Sequence, residues 1–204
     1  MQTITKVYDN YENARSAVRD LEAGGIAAGQ ISLVANKTVS AVHNEVSNAS
    51  DAGAGAGLGA VVGGAAGLLA GLGIMAIPGV GPVVAAGWLA STALGAAVGG
   101  ATGGILGALI DSGVPEDHAH VYSEAVRRGS TLLAVRATES QLSLVNSILG
   151  RYQPINPVVR RLEYQKSGWN EFDPSDEPYD VEEADSSSLN DAERERQIKR
   201  ARSL

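Results

Sequence analysis

The chain has 204 residues, no cysteine, and 16 basic against 23 acidic side chains, for a formal net charge of −7. This excludes a disulfide scaffold, a thiol nucleophile and cysteine metal sites, and the acidic balance argues against a nucleic-acid partner. Aromatics at 4%, with a single Phe, leave few large anchors for an extensive enzyme core.

Met1–Tyr8 lacks a charged stretch followed by an apolar run, so no signal peptide is expected there. Thr3–Val7 reads as a strand that ends at the turn signal Asp9-Asn10. Tyr11–Ala23 reads as a helix, because Ala14, Ala17, Val18 and Leu21 share one helical face. Gly24-Gly25 stops it, and Gln30–Ala35 reads as a second strand. Residues 1–36 are thus a first strand–helix–strand half, and 37–51 a linker.

From Ala52 to Ile110 there are 59 residues without Asp, Glu, Lys, Arg or His, holding 18 of the 25 glycines. Small residues recur every four positions in two rows: Gly55, Gly59, Gly63, Gly67 and Gly71, then Gly87, Ser91, Gly95, Gly99, Gly103 and Gly107. Such rows let two helices approach closely, as in small-xxx-small packing of membrane helices. The spacing predicts a glycine-zipper hairpin over 52–110, with helices Ala52–Met75 and Val83–Ile110 joined by Pro78-Gly79-Val80-Gly81-Pro82. The helices would reach about 36 and 42 Å, against a hydrocarbon core of about 30 Å. Both ends would emerge on one side of the membrane, placing the folded halves in the cytoplasm. The first helix has only eight strongly apolar residues, each worth about −0.3 to −0.6 kcal/mol on insertion, so the hairpin needs packing against itself or other copies. The competing reading is a soluble, cytoplasmic self-assembling structural protein whose hairpins form the oligomer core.

These glycines do not suit phosphate binding. The insert has no Gly-x-Gly-x-x-Gly and no lysine for a P-loop.

Residues 111–165 read as a helix followed by a second half. Gly113-Val114-Pro115-Glu116-Asp117 starts a helix running to about Arg128, Thr131–Arg136 is a strand, and Glu139–Leu149 is a helix stopped by Gly150. Val158–Tyr164 reads as a closing strand. Two strand–helix–strand halves predict an α+β fold of ferredoxin-like type, interrupted by the hairpin. Residues 166–204 read as a tail, first acidic (eight acids and no base over Glu171–Asp185), then basic, and mostly disordered.

The opening TITKVYDNYENARSAVRDLEAGGIAAGQISLVA and the later SGVPEDHAHVYSEAVRRGSTLLAV resemble the bacterial general stress protein family, of the heat-induced YflT or low-temperature-induced type. The likeness covers roughly residues 3–165. Gly113, Val114, Pro115, Glu116, Tyr122, Arg127, Arg128 and Gly129 carry its more specific motif. It implies a stress-induced, non-enzymatic protein, often with predicted membrane segments.

Candidate chemistry is sparse. His118 and His120, two residues apart on a helix, point to different faces and read as solvated rather than as metal ligands, and His43 has no evident companion. No Gly-x-Ser-x-Gly elbow occurs. No catalytic residue, cofactor site or metal site is therefore expected. Arg127 and Arg128 stabilise the carboxyl end of their helix, or else contact anionic lipid beside the hairpin. The expected partners are other copies of the chain and membrane lipid, and the expected location is the cytoplasmic membrane.

Overall fold

A computed structural model describes residues 1–36, 73–77, 79–89, 92 and 104–176. In chain order it has β1 (Gln2–Tyr8), α1 (Tyr11–Ala23), β2 (Ile31–Asn36), β3 (Gly73–Ile77), β4 (Gly81–Ala86), α2 (Gly104–Asp111), α3 (Glu116–Arg127), β5 (Thr131–Ala137), α4 (Leu142–Arg151) and α5 (Pro157–Lys166). The strands form one sheet in the order β1-β5-β2-β4-β3, with every neighbouring pair antiparallel. β1, α1 and β2 form a split unit, and β5 occupies the gap between its two strands.

Both faces of the sheet are covered. On one side Ala14, Ala17, Val18 and Leu21 of α1 and Val145, Ile148 and Leu149 of α4 pack on Leu33, Leu133 and Val135. On the other, Leu109 of α2, Ala125 of α3 and Tyr164 of α5 share a core with Val34, Val83, Leu132 and Ala134. Burial on both sides explains why β2 is buried along its whole length and reads as a continuous apolar run rather than an alternating one. Local caps set the helix limits. Asn10 accepts from Glu12 N–H at 2.8 Å to open α1, and Gly24 closes it. Tyr8 donates its buried hydroxyl to the Leu149 carbonyl at 2.9 Å, tying β1 to α4, and burial raises its pKa.

Three expectations are corrected. Val158–Tyr164 is not a strand, so no second strand–helix–strand half closes the sheet; these residues belong to α5. Asn156 accepts from Val158 and Val159 N–H at 3.0 and 3.3 Å, with Pro157 at the first helical position. That is a helix start, and it overrides the strand preference of the two valines.

The helices expected over Ala52–Met75 and Val83–Ile110 do not hold in the described part of the insert; residues 52–72 and 93–103 lie outside the described residues. Gly73–Ile77 and Gly81–Ala86 are strands, paired from Gly73↔Ala85 to Ile77↔Gly81. The Pro-Gly-Val-Gly-Pro segment supplies their turn, with Gly79 and Gly81 at φ +72° and +90°. A Cβ on Gly79 would also strike the Pro174 backbone at 2.5 Å. A period-four glycine count passes over the β-branched Ile74, Ile77, Val83 and Val84 on either side of that turn. Among the described residues no helix is long and apolar enough to cross a membrane, and α2 has only 8 residues. The membrane anchor, the lipid partner and the membrane location are corrected accordingly.

The polar tail does not begin at residue 166. Trp169 and Phe172 are buried in the core beside α3 and α5, with Trp169 edge-on to Tyr164 at 5.5 Å. Phe172 N–H donates to His120 Nδ1 at 3.1 Å, so His120 is an anchor for this segment rather than a freely solvated side chain.

A buried ion network secures the same segment. Glu124, fully buried, meets Arg127 Nη2 at 2.6 Å and accepts from Arg128 Nε. Arg127 reaches Asp176 at 2.9 Å, and its carbonyl accepts from Asn36 Nδ2 at 3.3 Å. Arg128 lies 4.3 Å over the Tyr164 ring. Removing one partner of a buried pair leaves an uncompensated charge. Arg127→Ala is therefore expected to lower stability by about 3–5 kcal/mol, measured by urea unfolding. Arg161→Ala, at a pair whose Asp117 side chain is 82% exposed, is expected to cost about 1 kcal/mol or less.

Candidate functional site: the outer edge of the first strand

Among the described residues β1 is paired on one side only, with β5. Along a strand the backbone N–H and C=O groups of alternate residues point to opposite edges. The Val7 carbonyl accepts from Ile155 N–H at 2.8 Å, so Val7 points outward, and with it Thr5 and Thr3. The loop before α5 closes the edge at Val7. The outward backbone groups of Thr3 and Thr5 have no partner among the described residues.

A groove of about 410 Å³ runs along this edge, walled by Thr5, Lys6, Val114, His118, Tyr122 and Val158. Burial raises the Tyr122 pKa, which keeps its phenol neutral. Beside the groove α5 presents the largest exposed apolar side chains of any helix described: Val158 at 61%, Val159 at 52% and Leu162 at 57%. Spacings of three and four put them on one side of the helix.

Asp9 fixes α5 against this end of β1. Arg160 forks onto both Asp9 oxygens at 2.7 and 2.6 Å, and Ser130 Oγ lies 3.2 Å from the same carboxylate. The Arg160 hydrogen bonds hold the Asp9 carboxyl below the usual carboxylate range, against an opposing push from burial. The same bonds raise the Arg160 pKa.

A second cleft of about 550 Å³ shares Thr3 and Gly113 with the groove and lies where β1 begins and β5 ends. Its floor is Trp88, with the Arg136 guanidinium stacked 3.7 Å above the ring. Ser32 helps place the indole: its hydroxyl donates to the Ala86 carbonyl at 2.8 Å and accepts from Leu89 N–H at 3.1 Å. Gly87 makes the intervening bend at φ +89°, so close to β2 that a Cβ would run into the Ile31 carbonyl. Arg136 is the one exposed side chain of β5, and its carbonyl accepts from Gln30 Nε2 at 2.8 Å.

Of the residues singled out from the sequence, Gly113, Val114, Pro115, His118 and Tyr122 line the groove at this edge; the glycine rows and the two arginines do not. Gly87 sits in the bend after β4 and not on a packed helix face. Gly107 lies within α2. Gly55, Gly59, Gly63, Gly67, Gly71, Ser91, Gly95, Gly99 and Gly103 lie outside the described residues, as does His43. Arg127 is buried in the ion network, which corrects its assignment to lipid, and Arg128 is turned toward Glu124 and Tyr164. Among the described residues no group of three His, Asp or Glu side chains is placed to hold a metal ion. No local sequence signal joins Trp88 to Arg136, since 47 residues separate the two. An apolar pair on an otherwise polar helix, Val158-Val159 with Leu162, was the available signal for the α5 surface.

Comparison with family models, curated proteins and solved structures gives no match.

Because the Asp9 pKa is depressed in the fold, its stabilising increment is complete above the carboxyl value of the unfolded chain, about 3.9. It is lost as pH falls through the lower folded value. Asp9→Asn is expected to be less stable than wild type near neutrality, by about 1 kcal/mol or less given the exposed carboxylate. The two proteins should converge at the acid end of a urea-unfolding pH series.

Proposed function

We propose that this chain is a self-assembling structural protein of the general stress type, which acts by association rather than catalysis and joins a second copy along β1. The observation that carries the proposal is the open edge at Thr3 and Thr5, closed off at Val7. The free stretch Gln2–Lys6 is self-complementary about Ile4. Laid antiparallel on itself, it sets Thr3 of one copy against Thr5 of the other. Each N–H then meets a carbonyl, and the pairing repeats by two-fold symmetry. Lys6 falls opposite Gln2, so no like charges face each other across the new pair, an arrangement that would be destabilising. Two sheets would become one.

A five-residue ribbon is short of the roughly 1,000 Å² expected of a specific interface. The apolar row Val158, Val159 and Leu162, beside the same groove, supplies further area. Edge strands left open in this way template pairing with another chain, and strand addition is a recurrent recognition mode. The general stress assignment rests on the motif from Gly113 to Gly129, which in the fold starts α3, provides its buried Tyr122 and ends in the Arg127-Arg128 network.

Thr5→Pro tests the proposal. Proline removes the outward N–H, yet it is tolerated on an edge strand. The Thr5 hydroxyl has no hydrogen-bond partner to lose. Sedimentation equilibrium is expected to give twice the 20.9 kDa chain mass for wild type, and a single chain mass for Thr5→Pro with an unchanged circular dichroism spectrum. A wild-type protein that stays at one chain mass at every attainable concentration overturns the reading. So does a folded Thr5→Pro protein that keeps the wild-type mass.

A further inference from the structure

The cleft over Trp88 carries a second, independent reading. Two opposite charges, Arg136 and Asp111, line it. They form no ion pair with each other, and neither has another ion-pair partner among the described residues. Unlike charges that share a cleft without meeting leave space between them for a molecule bearing both signs.

The guanidinium is well prepared for its half of the task. Stacking on the indole fixes its plane and leaves its N–H edge available for a two-pronged contact with a carboxylate. The indole N–H of Trp88 is itself buried without an acceptor among the described residues, a donor whose demand the protein leaves unmet. The placement of Trp88 is deliberate in structure: it depends on the buried Ser32 hydroxyl and on a bend that only glycine makes without strain. Asp111, at the last position of α2, faces the cleft from the opposite element. Thr3 adds a hydroxyl from β1, directly across from Arg136 in the strand register.

We infer that this cleft binds a small zwitterion of the amino-acid class, its carboxylate on Arg136 and its ammonium on Asp111. A cleft of about 550 Å³ exceeds what the two charged ends alone would fill, so the natural ligand carries a further side chain. The inference does not rest on the association proposed above, because it needs no second copy.

The test follows the two indole N–H resonances, Trp88 and Trp169, in the full chain, assigned with Trp169→Phe. The probes are glycine, acetate and ethylammonium. Glycine is expected to shift the Trp88 resonance saturably and to leave Trp169 unmoved. Acetate and ethylammonium, each with one charge, are expected to bind at least about tenfold more weakly. Arg136→Gln and Asp111→Asn, both at exposed positions, should each reduce glycine affinity to the single-charge level with the spectrum otherwise preserved. The titration should be the same in Thr5→Pro, which separates this site from the β1 edge. A Trp88 shift that never saturates overturns the site. Acetate binding as tight as glycine overturns the zwitterion, as does an undiminished glycine affinity in Asp111→Asn.

Discussion

The architecture depends on a strand that is apolar on both sides. Leu132, Leu133, Ala134 and Val135 of β5 alternate between the two faces of the sheet and are all fully buried. Neither face tolerates water, so helices must cover both. α1 and α4 take one side; α2, α3, α5 and the residues that follow take the other. β5 also supplies the pairing for β1 and β2 at once, so losing it would divide the sheet as well as uncover it.

Covering the second face brings a buried charge with it. α3 lies flush against the sheet, and its inner surface includes Glu124 at 0% exposure. A lone carboxylate there would be prohibitive. Arg127 and Arg128 compensate it from the same helix, while Asp176, Tyr164 and Phe172 complete the surroundings of those two cations. The residues after α5 are therefore part of the core layer, and His120 holds their backbone from the other side. What reads as a run of acids after the folded domain starts, in the fold, as a strap over α3.

The same layering explains where the molecule is open. A sheet covered on both faces offers its edges, and among the described residues β1 is closed only where the loop before α5 reaches Val7. Asp9 and Arg160 anchor α5 at that point, which leaves the apolar side of its first turns exposed next to the open backbone. The Trp88 cleft arises differently. It forms at the end of the sheet, where a hairpin strand leaves through the Gly87 bend and drops an indole beneath the one solvent-facing side chain of β5. One opening is a property of the sheet edge, the other of a turn.

By itself the sequence determined the local elements whose signals are carried by neighbours in the chain: β1, α1 and β2 with the Asn10 and Gly24 limits, the α3 start at Pro115, and a strand from Thr131 followed by a helix, although that helix runs Leu142–Arg151 and passes through Gly150 rather than spanning Glu139–Leu149. Tertiary structure decided the rest. Val158-Val159 became helix because the Asn156 cap and Pro157 act before strand preference, even though the outer edge of β1 is left without a strand partner among the described residues. Gly73–Ile77 and Gly81–Ala86 became strands because β2 had an open edge to pair with, a long-range fact that glycine spacing cannot express. The Arg127 network, the strap and the Trp88–Arg136 stack join residues tens of positions apart, and only the packing of α3 and β5 brings them together. Short-range backbone preferences are written along the chain; the pairing of edges and the neutralisation of buried charge depend on which surfaces meet.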